Sequence, residues 1–567
     1  MPKADEGWRA VSLVLLLLVA FPIHAAITSS ALTGRVMAGD APAVGATVTV
    51  TLRATQATRS ATTNARGTYW LGALTPGLYD VSFSRAGLTS LTRPVTIQLG
   101  RIARADARLE ISADEESVQS TATTVSVAES TVISTHWSAD ELERVPLRRD
   151  VITAAALSPV FPRGDTILDD TPVFIPFLLG EEALDEVTIV RGAQPIELDR
   201  LGSSAILART RSGSDEFSIL LRGTYSTHDD GGYVLEGASG GRIVPERLWF
   251  FASGWAGDPT DIGLQKLRGL TLKVNAQAGA AHHFVASHFD ADTELPLFDF
   301  GGTATGFRYT GVLNERLITE AVVSRSRYGS GDIRFQDDEV AAKVSYRVGD
   351  HVVSAGGGRS DHLGSDLDAF FIGDRWSVGP WTVDAGVRRD EQRTTWRVAG
   401  AFDLQSDRGS HAIVASWGEY LETPRPFGPG PVLRIATLGY TSSLESTGAA
   451  RVDFLHYDGA LEMDQAQLDA RYRMFDRLEA GGSYVYTRGD RRQFPEHLLT
   501  ARVGVQVPLA GHEFAATVLE RYEFDTWRTD VGVRYEVPYR RVALTVAADA
   551  EDVLEESEYR IWARIRH

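Results

Sequence analysis

The chain has no cysteine and only 4 methionines in 567 residues. The missing thiols exclude disulfide staples, thiolate metal sites and cysteine nucleophiles. Basic residues are also short, with 57 Lys and Arg against 75 Asp and Glu and a net charge of −18. That balance lacks the basic patch a nucleic-acid partner needs, so none is expected. Long hydrophobic runs are absent after Phe21, so no later segment can cross a bilayer as a helix. Any membrane passage must then be made by strands. Amphipathic helices are missing from about Glu216 onward.

What that region holds instead is alternation. Trp527, Thr529, Val531, Val533, Tyr535 and Val537 point one way; Arg528, Asp530, Gly532, Arg534 and Glu536 point the other. Val340, Ala342, Val344, Tyr346 and Val348 alternate with Glu339, Lys343, Ser345 and Arg347. Ala466, Leu468, Ala470, Tyr472 and Met474 alternate with Gln467, Asp469, Arg471 and Arg473. Burying such charges in a dry sandwich core is prohibitive unless each is paired. A barrel with lipid outside and a polar lumen inside removes that cost. Abundant glycine (53 residues) suits a chain of strands and turns.

Lys3 and Arg9 precede an apolar run from Val11 to Phe21, which Pro22 ends before the small pair Ala25-Ala26. This predicts a secretory signal peptide over residues 1–25. The run is too short for a spanning helix, which needs about 20 residues.

Residues 27–110 read as a small β-sandwich with strands at Ala31–Val36, Gly45–Leu52, Thr68–Leu71, Gly77–Ser84 and Arg93–Gln98. Asn64-Ala65-Arg66-Gly67 and Thr75-Pro76-Gly77 supply tight turns. The order LTGRV, PAVGATVTV, TTNARGTYWLGALTPGLYDVSFSRAGL resembles carboxypeptidase regulatory-like domains. The resemblance implies an accessory module without catalytic residues.

Residues 111–212 begin with a polar stretch, Asp114 to Thr135. Ser138 followed by Glu141 predicts a capped helix start. A short helix (Glu181 to Leu184), a strand (Glu186 to Val190) and a second strand (Ser204 to Thr210) follow. The run Ala183-Leu184-Asp185-Glu186-Val187-Thr188-Ile189-Val190-Arg191-Gly192, and then Ser203 to Ser212 with Gly213-Ser214-Asp215-Glu216-Phe217, resembles the plug domain of TonB-dependent outer-membrane receptors. Sandwich, plug and hairpin array together resemble the Oar-like members. Asp169 to Val173 takes the place of that family's "LDGVPV" stretch, but the Arg-Gly and Asn-rich block before it is missing, so the plug's middle is compressed. Glu116, Ser117, Val118, Gln119 and Ser120 form the candidate TonB box, with an ordinary linker as the alternative. Glu186 and Arg191 are candidate plug anchors, with a solvated strand-end pair as the alternative.

From 213 to 567 the chain divides into about 22 strand candidates, starting near 216–228, 232–243 and 247–257 and ending near 527–537, 540–551 and 557–567. An even number suits an up-and-down barrel, and about 22 strands enclose a plugged lumen. Aromatics near strand ends, among them Trp249, Trp381, Trp396, Trp527, Tyr535 and Tyr539, suit interfacial girdles. Tight turns such as Pro245-Glu246-Arg247, Gly349-Asp350 and Gly379-Pro380 alternate with longer connections at Gly257 to Lys266, Asp292 to Gly302 and Thr423 to Pro431. The fold class expected is therefore an all-β membrane protein: a small N-terminal β-sandwich, an α+β plug and a C-terminal transmembrane β-barrel.

Three local patterns suggest chemistry. Gly237-Ala238-Ser239-Gly240-Gly241 has nucleophile-elbow spacing, but it sits in a strand with no following helix. Asp290, Asp292, Glu294 and Asp299 crowd one outer loop, with spacing that fits no calcium loop. His282 and His283 are adjacent on a strand, so they face opposite sides. No enzyme, cofactor or metal site is expected. The resemblance implies uptake of a small ligand, glycan or peptide across the outer membrane, energised by the periplasmic domain of TonB, with outer-membrane lipid around the barrel. The alternatives are a structural or adhesive barrel with a vestigial plug, and a passive porin.

Overall fold

The computed structural model describes residues 30–110, 131–158, 166–173, 179–191, 194–198 and 204–567, the last without positions 228–230, 259–265, 295–298, 331–332, 363–364, 391–392, 407–408, 422–431, 445–447, 459–461, 475–476, 490–495, 510–511, 524–525, 540–541 and 554–557. The expected signal peptide over 1–25 and the candidate TonB box at 116–120 lie outside the described residues.

The sandwich has two sheets. In one, Ser30–Ala38 lies between Ala41–Pro42 and Thr68–Leu74 and also takes Ile102–Arg104 and Ala107–Leu109 in parallel. The other has the order Thr58–Thr62, Thr47–Leu52, Gly77–Ser84, Leu91–Ile97. Alternate residues of both sheets, including Leu32, Val36, Val48, Val50, Tyr69, Val81, Phe83 and Ile97, fill one core. The Thr58–Thr62 strand escapes sequence reading because Ala61 is its one apolar residue and the one it buries.

The plug is a five-stranded sheet in the order Ile133–Ser138, Leu184–Arg191, Ser204–Thr210, Thr166–Leu168, Thr171–Val173. Helix Ala139–Glu143 starts with a full capping box, the Ser138 hydroxyl accepting from Glu141 N–H and the Glu141 carboxylate accepting from Ser138 N–H. A second helix, Val151–Leu157, was not expected; the Asp150 carboxylate caps it by accepting from Thr153 N–H at 2.7 Å. The helix expected over Glu181 to Leu184 is instead a turn, closed by Ala183 N–H to the Gly180 carbonyl at 3.1 Å, and the strand begins at Leu184. One isolated helical turn costs more in nucleation than its single hydrogen bond returns. The turn also aims two acidic side chains at arginines described below.

Twenty-two antiparallel strands, from Ser218–Ser226 to Glu558–Arg566, form a closed barrel. First and last strands pair through Leu221–Ile565, Arg222–Arg564 and Thr224–Trp562. On the final strand Tyr559, Ile561 and Ile565 are exposed, whereas Arg560, Trp562 and Arg564 are buried inside. Leu235, Leu438, Phe454 and many similar side chains also stand exposed on the outer wall. An apolar belt of this extent is a lipid-facing surface, and the charged residues line the lumen. Aromatic pairs sit towards both ends: Trp381 with Phe402 (4.4 Å between centroids) at one, Trp396 with Trp417 (4.1 Å) and Tyr522 with Trp527 (5.0 Å) at the other.

The acidic group at 290–294 is not on a loop. It belongs to strand His282–Glu294, where Phe289, Ala291 and Thr293 are buried and Asp292 and Glu294 reach across to Arg268 (2.6 Å) and Lys266 (2.9 Å). Their carboxylates are used by neighbouring strands. His282 turns outward to the Tyr309 hydroxyl at 2.9 Å. Residues 237–241 lie within strand Gly232–Val244.

The sandwich seats on the tight-turn end of the barrel. Asp350 accepts from Asn64 Nδ2 at 3.0 Å and pairs with Arg66. Glu315 accepts from the Thr62 hydroxyl at 2.9 Å, and Arg104 meets Asp403 at 3.2 Å.

Candidate functional site

The plug sits inside the barrel, and the contact between the two is rich in charged groups. Its densest part is a set of buried charges beneath the barrel's closing seam. Glu143 ends helix Ala139–Glu143 and takes both guanidinium nitrogens of Arg564, at 2.6 and 2.7 Å. Arg534 reaches the same carboxylate at 2.9 Å and Arg149 at 3.0 Å. Glu182 takes Arg149 at 2.6 Å and Arg222 at 3.3 Å. Glu181 takes Arg222 at 2.8 Å. Arg149, 1% exposed, also donates from Nε to the Glu181 carbonyl at 2.8 Å.

Plug and barrel thus share one network. Glu143, Arg149, Glu181 and Glu182 come from the plug; Arg222 comes from the first barrel strand, Arg564 from the last, and Arg534 from the strand two before the last. Trp562 gives it an aromatic floor, with the Arg222 guanidinium 4.3 Å from its ring centroid. Burial works against ionising Glu143, but Arg564, Arg149 and Arg534 outweigh it and hold the carboxyl at about 2. Glu181 is likewise held at about 2 against its burial, chiefly by Arg222 and Arg560. Glu182 is depressed further, by Arg149 and Arg222. Burial opposes the charge of Arg149, yet Glu182 and Glu143 keep it firmly protonated.

Ion pairs have a property that apolar packing lacks. Removing one partner while the other stays buried is costly, but once both are exposed to water each charge is solvated again. Such a contact can be broken and remade without unfolding either partner. We therefore treat this network as a latch.

Other contacts ring the plug. Asp169 meets Lys273 at 2.9 Å, and Asp170 meets Arg308 at 2.6 Å. Glu141 meets Arg471 at 3.1 Å, and that guanidinium lies 4.5 Å from the Trp137 ring centroid. Arg397 donates to the Pro195 and Leu198 carbonyls at 2.6 and 2.7 Å.

The two anchor candidates lie elsewhere. Glu186 pairs within the plug with Arg209 at 2.6 Å, and accepts from Leu99 N–H of the sandwich at 3.3 Å. Arg191, fully buried, donates to the Thr135 hydroxyl on the neighbouring plug strand. The structure does not bring them together. The latch residues Glu143, Arg149, Glu181 and Glu182 escaped sequence reasoning. The one local signal for them was the doubled acid at 181–182 directly before an apolar strand.

Residues 31–110 match the carboxypeptidase regulatory-like domain family. No curated protein sequence matches the chain. Among solved structures, the siderophore receptor PirA from Pseudomonas aeruginosa is similar at a TM-score of 0.64 and 11% identity, over 76% of this chain and 99% of that one. The alcaligin outer membrane receptor FauA from Bordetella pertussis is similar at 0.61 and 13%, over 78% and 96%. The ferric-catecholate import receptor Fiu from E. coli K12 is similar at 0.63 and 9%, over 78% and 97%. The chain has the fold of the TonB-dependent receptors: a closed 22-strand barrel with a plug sheet inside it. A carboxypeptidase regulatory-like domain precedes that plug.

Proposed function

We propose that the protein sits in the outer membrane and takes up a solute by TonB-coupled displacement of its plug. The observation that carries this is the latch: a plug tied to the barrel seam by the buried carboxylates of Glu143, Glu181 and Glu182, beside its apolar contacts with Phe251, Phe289, Ala304 and Leu519. On this reading the sandwich faces the periplasm, and residues 116–120 are the segment that TonB grips. Residues 1–25 direct export, 27–110 form the accessory sandwich, 111–212 the plug and 213–567 the barrel. A pull on the linker between sandwich and plug strains Glu186 and Arg191, which tie the first plug strands to their neighbours, and passes the load to the latch. When the latch opens, its charges are taken up by water and a path forms along the barrel wall.

The test is direct. The purified periplasmic domain of TonB should be retained by the full-length protein and lost when residues 116–120 are deleted. Deleting residues 26–135 should abolish TonB-dependent growth or transport in a profiled strain. Failure of TonB to bind, with normal growth of the deletion strain, would instead point to a structural or adhesive barrel.

A further inference from the structure

The latch leaves one large space unused. Between sandwich, plug and the hairpin formed by Lys266–Ala278 and His282–Glu294 lies a cavity of about 630 Å³. That is within the range of small-molecule sites. Three of the acids lining it are already spent. Asp169 holds Lys273 at 2.9 Å, Asp170 holds Arg308 at 2.6 Å and Asp185 holds Arg209 at 2.5 Å. The fourth, Asp140, stands on an exposed helix position.

Arg59, on sandwich strand Thr58–Thr62, lines the same cavity and is differently placed. Its Nη1 donates to the Gly72 and Ala73 carbonyls at 2.8 and 3.0 Å, and no carboxylate among the described residues bonds to it. Burial draws its pKa down to about 10, and Tyr79 and Glu320 only partly offset the lost hydration. Across the cavity, Asn275 and His283 share the lumen face of the barrel hairpin; the register pairs Asn275 with Val285 and Gln277 with His283, so the two are diagonal neighbours. Asn275 Nδ2 and His283 Nε2 are both buried and both lack a hydrogen-bond partner. A buried polar atom without a partner is costly, so two in one cavity, beside a guanidinium that no carboxylate bonds, call for a polar occupant.

We infer that this cavity is a binding site for a small organic anion, with Arg59 holding a carboxylate or phosphate and Asn275 and His283 bonding its polar substituents. The inference does not depend on TonB coupling, because binding can be read on the isolated protein.

The test uses the full-length protein in detergent, titrated calorimetrically with citrate and with inorganic phosphate. At least one probe should bind saturably. R59Q should weaken it tenfold or more, and R59K should retain part of the affinity. N275L should weaken it without touching the charge. R325Q, which alters an exposed pair on the opposite end, should leave it unchanged. Preference for citrate marks a carboxylate solute and preference for phosphate a phosphate ester. Heat-dependent gel migration shows whether each variant keeps its barrel; should R59Q lose it, the R59K and N275L titrations decide. Absence of binding by both probes overturns the inference, as does undiminished affinity in a folded R59Q or N275L protein.

Discussion

Replacing Glu143 with Gln keeps the side chain's shape and removes its charge. Arg564 then loses a bidentate partner at 2.6 and 2.7 Å, Arg534 one at 2.9 Å and Arg149 one at 3.0 Å. Breaking a buried ion pair from one side costs about 3–5 kcal/mol. Glu182 remains as a second carboxylate near Arg149 and Arg564, so the lower end, about 3 kcal/mol, is expected. At 1.4 kcal/mol per tenfold, plug opening should rise by about 100-fold. Hydrogen exchange followed by mass spectrometry reads this directly, since protection reports the free energy of local opening. Plug strands Ile133–Ser138 and Leu184–Arg191 should lose protection while barrel strands keep theirs. E513Q is the control: Glu513 also pairs with Arg534, at 3.1 Å, but is 45% exposed. An exposed pair contributes at most about 1 kcal/mol. Unchanged plug protection in E143Q would refute the latch. Equal loss throughout the barrel would also refute it, by showing general destabilisation instead.

Acid should open the same latch. Glu143 and Glu181 are lowered from 4.5 to about 2 in the folded plug, so their stabilisation is complete above pH 4.5 and is lost as pH falls towards 2. Each contributes on the order of 3 kcal/mol, and plug protection, corrected for the intrinsic pH dependence of exchange, should fall between pH 5 and 2 in the wild type and less steeply in E143Q. His136 changes stability in the same sense at higher pH. Burial lowers it to about 4 despite Glu141, so protonating the unfolded form below pH 6.5 weakens the plug, and H136N should flatten the profile between pH 6.5 and 4. Asp350→Ala removes the acceptor shared by Asn64, Arg66 and Thr68, and should loosen the sandwich by about 1–2 kcal/mol, seen as faster proteolysis within residues 30–110 and an unchanged barrel. Phe454→Arg, on the lipid face at 54% exposure, should cost about 2–4 kcal/mol in vesicle refolding; no cost would contradict the membrane assignment.

The barrel was legible because each strand carries its own signal. Tyr559, Ile561 and Ile565 alternate with Arg560 and Arg564, and one residue's neighbours suffice to read that face. The capped start at Ser138 was legible for the same reason. The latch was not, because its geometry is non-local: Glu143 meets Arg534 and Arg564 at separations of 391 and 421 residues. The inward arginines of the last strand could be read, but their partners could not. Glu181-Glu182 looked like a helical start because the pull of Arg149 and Arg222 on that turn has no local trace. Helix Val151–Leu157 is seven residues of mostly small and β-branched side chains, too short for a helical period to stand out.

The central claim is that a closed barrel opens only when its plug moves. The absence of native cysteine allows a clean tether. A Cβ built on Gly306 of the barrel stands 3.6 Å from the Thr171 Cβ of the plug. That lies inside the range of about 3.5–4.5 Å that a disulfide bridges. Single-channel recording of T171C/G306C in planar bilayers under mild denaturant tests the claim most directly. The reduced protein should pass from closed to conducting, and the oxidised protein should stay closed until a reductant is added. Steady conductance without denaturant, or equal opening of the oxidised form, would contradict the account.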